Sequence, residues 1–289
     1  MNNVIRGLCL MIFCQVILES FPISSSGHLI LLEKILQLFG TTPTVADLPD
    51  FFDHFLHGPT IIVLLFFFRK EWFFKFRFLL KKFSFDFSDW SYAYKKLWSV
   101  FLKLILFIFV TSFITTFFYF IFGYFKNFRF FKSEGLMLFG FFITTILLFS
   151  LYFKNKNDFE FKKLTLKKVI ILGIVQGLSF LPGISRFGST YVVARWLGIP
   201  IRRAFQFSFL MQFPLIVVAF FDSSFKIFFG SKSFINLFSL KVCLTFLIAT
   251  VLAYFALYFS YFLAVRRKLW YLSFYMLLPL SLLIYFILF

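Results

Sequence analysis

Acidic residues are scarce in this sequence: 12 Asp and Glu stand against 30 Lys and Arg in 289 residues, a formal net charge of +18. Cysteine is scarcer still. Cys9, Cys14 and Cys243 all fall in apolar stretches, are odd in number and lack metal-ligand spacing, which argues against both a disulfide framework and a thiolate metal centre. The N-terminal apolar stretch has no small-residue cleavage pattern and runs straight into Glu19, Pro22 and a serine cluster, so it is expected to belong to the mature protein. Polar alternation is missing too. Without it, the apolar runs do not read as strands of an outer-membrane barrel.

What the chain has in abundance is apolar surface: 61% of its residues are hydrophobic and 55 are phenylalanine, more than one water-exposed core can bury. Lipid is the solvent this composition suits, and helices are the way to satisfy its backbone there. The basic excess lies mostly in short clusters between apolar runs, where headgroups and the positive-inside effect account for it, so no nucleic-acid partner is expected.

Six stretches are candidates to cross a hydrocarbon layer about 30 Å thick. They run over approximately Phe55 to Phe68, Leu104 to Phe125, Gly135 to Phe153, Ala204 to Phe221, Val242 to Val265 and Leu269 to Leu288. Two more, Gly7 to Leu38 and Val169 to Leu197, are interrupted by Pro, Gly, Ser and a charge, and read as a helix, a polar loop at membrane depth and a returning helix. The connectors from Arg69 to Lys96, Lys154 to Lys168, Arg195 to Arg203 and Arg266 to Lys268 are rich in Lys and Arg. Those carrying Lys126, Arg129 and Lys132, and Lys226, Lys232 and Lys241, are poorer. Placing the rich set in the cytoplasm satisfies all six spans if each interrupted segment returns to the side it entered from.

The expected fold is therefore an all-α integral membrane protein, with six transmembrane helices and two re-entrant helix-loop-helix pairs in an inverted-topology repeat. Internal similarity supports this: at an offset of 161, Gln15 matches Gln176, Ile23-Ser24 matches Ile184-Ser185, and Gly27 matches Gly188. The expectation is one polytopic domain over residues 1–289, with one repeat spanning approximately 4–125 and the other 166–265.

The interruptions hold the chemistry. Gln15 and Glu19 lie one helical turn apart and share a face, so both can approach one cation or polar ligand. Pro22 then breaks the helix, Ser24, Ser25 and Ser26 follow in a loop, Gly27 permits close backbone approach, and His28 begins the next helix. In the second segment Arg186 needs an anionic partner at that depth, and its planar fork suits a carboxylate or a phosphate. Gly183, Gly188, Ser185, Ser189 and Thr190 offer backbone N–H groups and hydroxyls at a helix start, which also favours an anion. The plainer alternatives are that Glu19 and Arg186 only tie the two loops together, that His28 is a hydrogen-bonded core residue, and that the hydroxyls satisfy helix ends.

These residues resemble the bacterial undecaprenyl-diphosphatase family, linked to bacitracin resistance. Its first motif is met by Gln15, Glu19, Pro22, Ser24, Ser25, Gly27 and His28. Its second is met by Pro182, Gly183, Ser185, Arg186, Gly188 and Thr190, with Phe187 where the family has a serine. Phe52 to His57, and Phe207 to Leu210 with Pro214, also look like family features.

The resemblance implies hydrolysis of a polyprenyl diphosphate to the monophosphate, which recycles the lipid carrier of cell-wall synthesis, with a divalent cation, Mg2+ or Ca2+, as cofactor. It also implies the bacterial inner membrane and a site open to its periplasmic or outer face. On this reading Arg186 clamps the phosphates while Glu19 and Gln15 hold the metal. Ser25 is the preferred nucleophile and His28 moves the proton, or His28 itself attacks or activates water. Ser24, Ser26, Gly27, Gly183, Ser185, Gly188 and Thr190 bind substrate. His54 and His57 read as capping or interfacial anchors, Phe187 as a loss of affinity, and homo-oligomerisation stays open. The rival function on the same scaffold is a flippase or transporter of prenyl phosphate lipids.

Overall fold

A computed structural model describes residues 2–38, 52–70, 92–125, 133–154, 164–230 and 240–288. The described residues are helical, with no strand among them. Helix α1 is Asn2–Leu18, α2 Ser25–Leu38, α3 Phe52–Phe55, α4 His57–Phe67, α5 Tyr92–Phe125 and α6 Glu134–Ser150. The remainder are α7 Leu166–Leu178, α8 Arg186–Trp196, α9 Ile201–Gly230, α10 Leu240–Val265 and α11 Leu272–Leu288, the last preceded by a 3-10 turn at Leu269–Tyr271. Most of the basic stretch after Arg69, and Lys126, Arg129, Lys132 and Lys232, lie outside the described residues.

Among the described residues, four stretches are long and apolar enough to cross a membrane: Trp98–Tyr124, Ile201–Lys226, Cys243–Val265 and Leu269–Leu288. Helix α5 turns large rings outward, with Phe109, Phe113, Phe117 and Phe120 all at least 60% exposed, a face suited to contact with lipid. The other two expected spans are shorter. Helix α6 has 17 residues and α4 has 11, about 26 Å and 17 Å at 1.5 Å per residue, so α4 falls short of a full crossing by itself.

Both interrupted stretches are helix-turn-helix pairs, α1 with α2 and α7 with α8, and the members of each pair pack together. Each first helix also packs on a long apolar helix from the other half of the chain. Helix α1 lies on α10, and α7 lies on α5. Helix α4 packs on α10 as α9 packs on α5, and α2 meets α11 as α8 meets α6. Small residues make the closest of these approaches: a Cβ on Gly173 of α7 would stand 3.3 Å from the Cα of Thr111 on α5.

The buried core runs through these contacts and is aromatic where α8 meets α9. Phe187 is 3% exposed, 4.2 Å between ring centroids from Phe209 and 5.1 Å from Phe205. Phe187 thus packs into the core, away from any polar group of the turn, and fills space that a serine would leave open. Gln176, fully buried on α7, is anchored by donating from Nε2 to the Met211 carbonyl at 3.1 Å.

Candidate active site

The first turn is shaped by where α1 can no longer continue. Glu19 N–H still bonds the Gln15 carbonyl at 3.0 Å, but Ser20 and Phe21 bond only three residues back, and Pro22 ends the run. Ser24 then caps α2, its Oγ accepting from Gly27 N–H at 3.3 Å. Ser25 and Ser26 therefore form the first turn of α2, where the sequence alone suggests a loop with the helix starting at His28. The cap starts the helix three residues earlier.

The second turn repeats the device. Gly183 takes the left-handed conformation at φ 84°, open to glycine without strain, and Ser185 Oγ accepts from Gly188 N–H at 3.0 Å to start α8. Ser24 with Gly27 and Ser185 with Gly188 are the pairs that matched in the sequence. Thr144 of α6 braces this turn, its hydroxyl 2.9 Å from the Gly183 carbonyl and accepting from Ser185 N–H at 3.0 Å. A pair of threonines in an apolar run, Thr144 and Thr145, carries no sequence signal of that task.

The turns touch backbone to backbone. A Cβ added to Gly188 would stand 2.6 Å from the Pro22 carbonyl oxygen, and one added to Gly27 would stand 3.3 Å from Gly183 Cα. These contacts are reciprocal, because Gly27 matches Gly188 and Pro22 matches Gly183 at the repeat offset.

Around this junction Glu19 is held on two sides. Thr60 donates to Oε2 at 2.6 Å, and His57 Nδ1 lies 2.8 Å from Oε1. Arg186 lies within electrostatic range of Glu19. The guanidinium carbon sits 4.9 Å from the centre of the Phe180 ring, and Nε is shielded without a hydrogen-bond partner. His57 and Thr60 are residues that sequence reasoning undervalued or missed. Their signal is a histidine and a threonine three apart at the start of an apolar helix, which reads equally well as capping.

His28 is buried. Its Nδ1 lies 2.5 Å from the Ser24 carbonyl oxygen, which can only accept, so Nδ1 carries the proton and the neutral ring keeps its lone pair on Nε2. Nε2 has no partner. The ring stacks on Tyr275 at 5.7 Å and meets the edge of Phe141 at 5.3 Å. Ser25, three residues before His28, shares its side of the helix, and its hydroxyl makes no hydrogen bond among the described residues.

Other hydroxyls are already engaged. Thr190 donates to the Arg186 carbonyl at 2.8 Å, Ser189 bonds the same carbonyl at 3.2 Å, and Ser185 is the cap. Ser24 and Ser26 lie 3.4 Å apart, Oγ to Oγ. Backbone N–H groups at the start of α8 are therefore more available to an anion than these side chains are.

Among the described residues no three His, Cys, Asp or Glu side chains gather as a metal site. A hard divalent cation on a phosphate substrate needs fewer: one or two protein oxygens, with phosphate and water completing the shell. Gln15 fits that requirement, since it is 4% exposed and its Oε1 is buried without a partner, one turn from the Glu19 carboxylate.

Fold and site together define a polytopic helical membrane protein with a buried polar centre where two capped turns meet. The family model described as bacitracin resistance protein BacA matches residues 9–280, and the chain belongs to that family. It is 32% identical over 292 residues to the undecaprenyl-diphosphatase of Borrelia recurrentis, covering 99% of this chain and all of that one. To the undecaprenyl-diphosphatase of Borreliella burgdorferi it is 33% identical over 285 residues, covering 96% of this chain and 95% of the relative. A third relative of the same name, from Treponema denticola, is 32% identical over 280 residues, with 94% of each chain covered.

Proposed function

We propose that this chain hydrolyses undecaprenyl diphosphate to undecaprenyl phosphate and inorganic phosphate. The observation that carries the reading is that three buried atoms on the helices flanking the two turns have no hydrogen-bond partner among the described residues: Gln15 Oε1, His28 Nε2 and Arg186 Nε. Each such group costs about 1–3 kcal/mol unless a ligand satisfies it, and a diphosphate answers all three, Gln15 through a cation. The names of the relatives favour bond cleavage over lipid transport.

Substrate binds with its terminal phosphate at the start of α8, where Arg186 and the backbone N–H groups neutralise it. Ser25 Oγ attacks the terminal phosphorus, and His28 Nε2 takes the hydroxyl proton. An O–P bond to Ser25 forms as the bridging P–O bond breaks, and undecaprenyl phosphate leaves with the proton from His28 Nε2, which restores the neutral imidazole. Water, deprotonated by the same imidazole, then releases inorganic phosphate from Ser25. Gln15 and Glu19 would hold a divalent cation, Mg2+ or Ca2+, which when bound offsets phosphate charge. Glu19 is kept in position for this by Thr60 and His57. The backbone of Gly27, Gly183 and Gly188 brings the turns within reach of one ligand, with Ser24, Ser26, Ser185 and Thr190 shaping them.

The same reading places the protein in the bacterial inner membrane with six spans, two re-entrant pairs and two inverted repeats, the site open to the outer face. The reciprocal turn contacts and the paired helix packings support the repeats. Purified protein in detergent should release phosphate from a prenyl diphosphate, and release should stop with a chelator. Ser25→Ala, His28→Ala and Arg186→Ala should each cut the rate at least about 100-fold. Normal turnover in all three variants would sink the assignment.

A further inference from the structure

We infer that an apolar cavity beside His28 receives the first isoprene units of the substrate and so sets where its diphosphate stands. The inference rests on the phosphatase reading and identifies which surface handles the lipid part. The cavity has a volume of about 310 Å³ between α1, α2 and α11. Three helical stripes line it: Cys14, Ile17 and Leu18; His28, Leu31, Leu32 and Ile35; Tyr275, Leu278, Pro279 and Leu282. Each follows the i, i+3, i+4 rhythm, with i+7 in the last two, so each is one continuous helix face.

The polar members gather. His28 stacks on Tyr275 with the rings 6° from parallel, and Tyr275 lies within electrostatic range of Cys14. From there α2 and α11 run on side by side, since Lys34 further along α2 sits 5.8 Å from the Phe286 ring further along α11. The wall from His28 to Ile35 is seven residues long, about 10 Å. A ligand held by its phosphates where the starts of α8 and α2 meet therefore finds His28 at the boundary and aliphatic side chains beyond it.

Helix α1 separates the two parts of such a ligand. Gln15 and Glu19 lie on one side of it, and Cys14, Ile17 and Leu18 on another. A single chain with an ionic head matches this division. The second large cavity, about 640 Å³ between α4, α9 and α10 with Phe55 at its edge, is lined by no residue of either turn.

Lipid tails are as apolar as leucine, so this cavity gains nothing from excluding water. Its contribution is positional: a chain seated there holds the phosphorus in line with Ser25, and a displaced chain lets it wander.

Two measurements on the full-length protein test this. In the first, kcat/KM for a C55 prenyl diphosphate is divided by kcat/KM for a C5 one. Leu282→Trp and Ile35→Trp, which fill the cavity from its partly exposed wall, should lower that ratio about tenfold. Val251→Trp, in the other cavity, should leave it alone. An unchanged ratio in both filling variants overturns the proposal, and so does a fall produced by Val251→Trp instead.

The second measurement needs no turnover. With Cys9 and Cys243 replaced by Ser, maleimide labelling of Cys14 in detergent should slow about tenfold when a non-hydrolysable C55 diphosphonate is added. Equal protection by phosphatidylglycerol micelles, or none by the diphosphonate, overturns the proposal. Protection of Cys14 in this protein, together with wild-type protein that releases no phosphate, would defeat the phosphatase reading while leaving the chain-binding cavity standing.

Discussion

Gly188 lies against the carbonyl of Pro22 so closely that a methyl group has no room: an added Cβ would stand 2.6 Å from that oxygen. Because the obstruction is backbone, the two turns must separate to admit it. The unpartnered atoms of Gln15, His28 and Arg186 come from helices on both sides of this contact, so their spacing depends on how closely the turns approach.

Gly188→Ala should consequently lower phosphate release about 100-fold, the cost of a shift of roughly 1 Å between reacting groups. The effect should appear in kcat more than in KM. Gly27→Ala should cost less, because its nearest obstruction is the Phe141 ring, which has some freedom to move. Equal losses in the two variants, measured side by side, would show that the turns are not constrained in this way.

Thr60 donates to the carboxylate of Glu19 from a different helix. Thr60→Val keeps the shape and removes the donor, with an expected loss of about 1.5–3 kcal/mol for a hydrogen bond to a charged group. That converts to roughly 10- to 150-fold in kcat/KM if the carboxylate is used at the transition state. Thr60→Ser restores the donor and should restore most of the rate. Identical kinetics for the Val and Ser variants would remove Thr60 from the site.

The free hydroxyl of Ser25 and the lone pair on His28 Nε2 lead to different trapped intermediates. Attack by Ser25 gives an acid-stable phosphoserine, and attack by His28 an acid-labile phosphoramidate. Rapid quenching in acid with a substrate labelled in its terminal phosphate should leave label on the peptide containing Ser25. Label that survives base and is lost in acid would reverse the roles of the two residues.

Phe187 occupies the position of a family serine, and on sequence alone its expected consequence is weaker phosphate binding. Its ring is instead packed between Phe205 and Phe209. Phe187→Ser should destabilise the protein by about 3–5 kcal/mol through the cavity it leaves, visible as a fall in Tm in detergent. No gain in phosphate release should accompany it. A faster enzyme of unchanged Tm would show that the serine acts on substrate.

Which segments are helical, and where two of them break, was legible because lipid leaves so few choices: apolar runs must be helices, and Pro22, Gly183 and the capping serines mark the interruptions. The likeness of the two turns was legible for a related reason. Two turns that use one capping device need the same residues at the same spacing, which is why Ser24 and Gly27 reappear as Ser185 and Gly188.

Beyond Glu19 and Arg186, partnership between distant residues was not legible. Thr60 and His57 on Glu19, Thr144 on the Gly183 turn, and Tyr275 against His28 all join elements far apart in the chain. A threonine in an apolar helix looks the same whether its hydroxyl bonds its own helix or braces another. The direction of Phe187 was hidden likewise, since the residue after a helix cap can face either the ligand or the core. The sequence by itself determined the kind of chemistry and the solvent in which it is done. Only the packing of α4, α6 and α11 around the two turns decided which neighbours hold Glu19 and His28 in place, because side-chain direction follows from helix rotation, and helix rotation is set by contacts between helices.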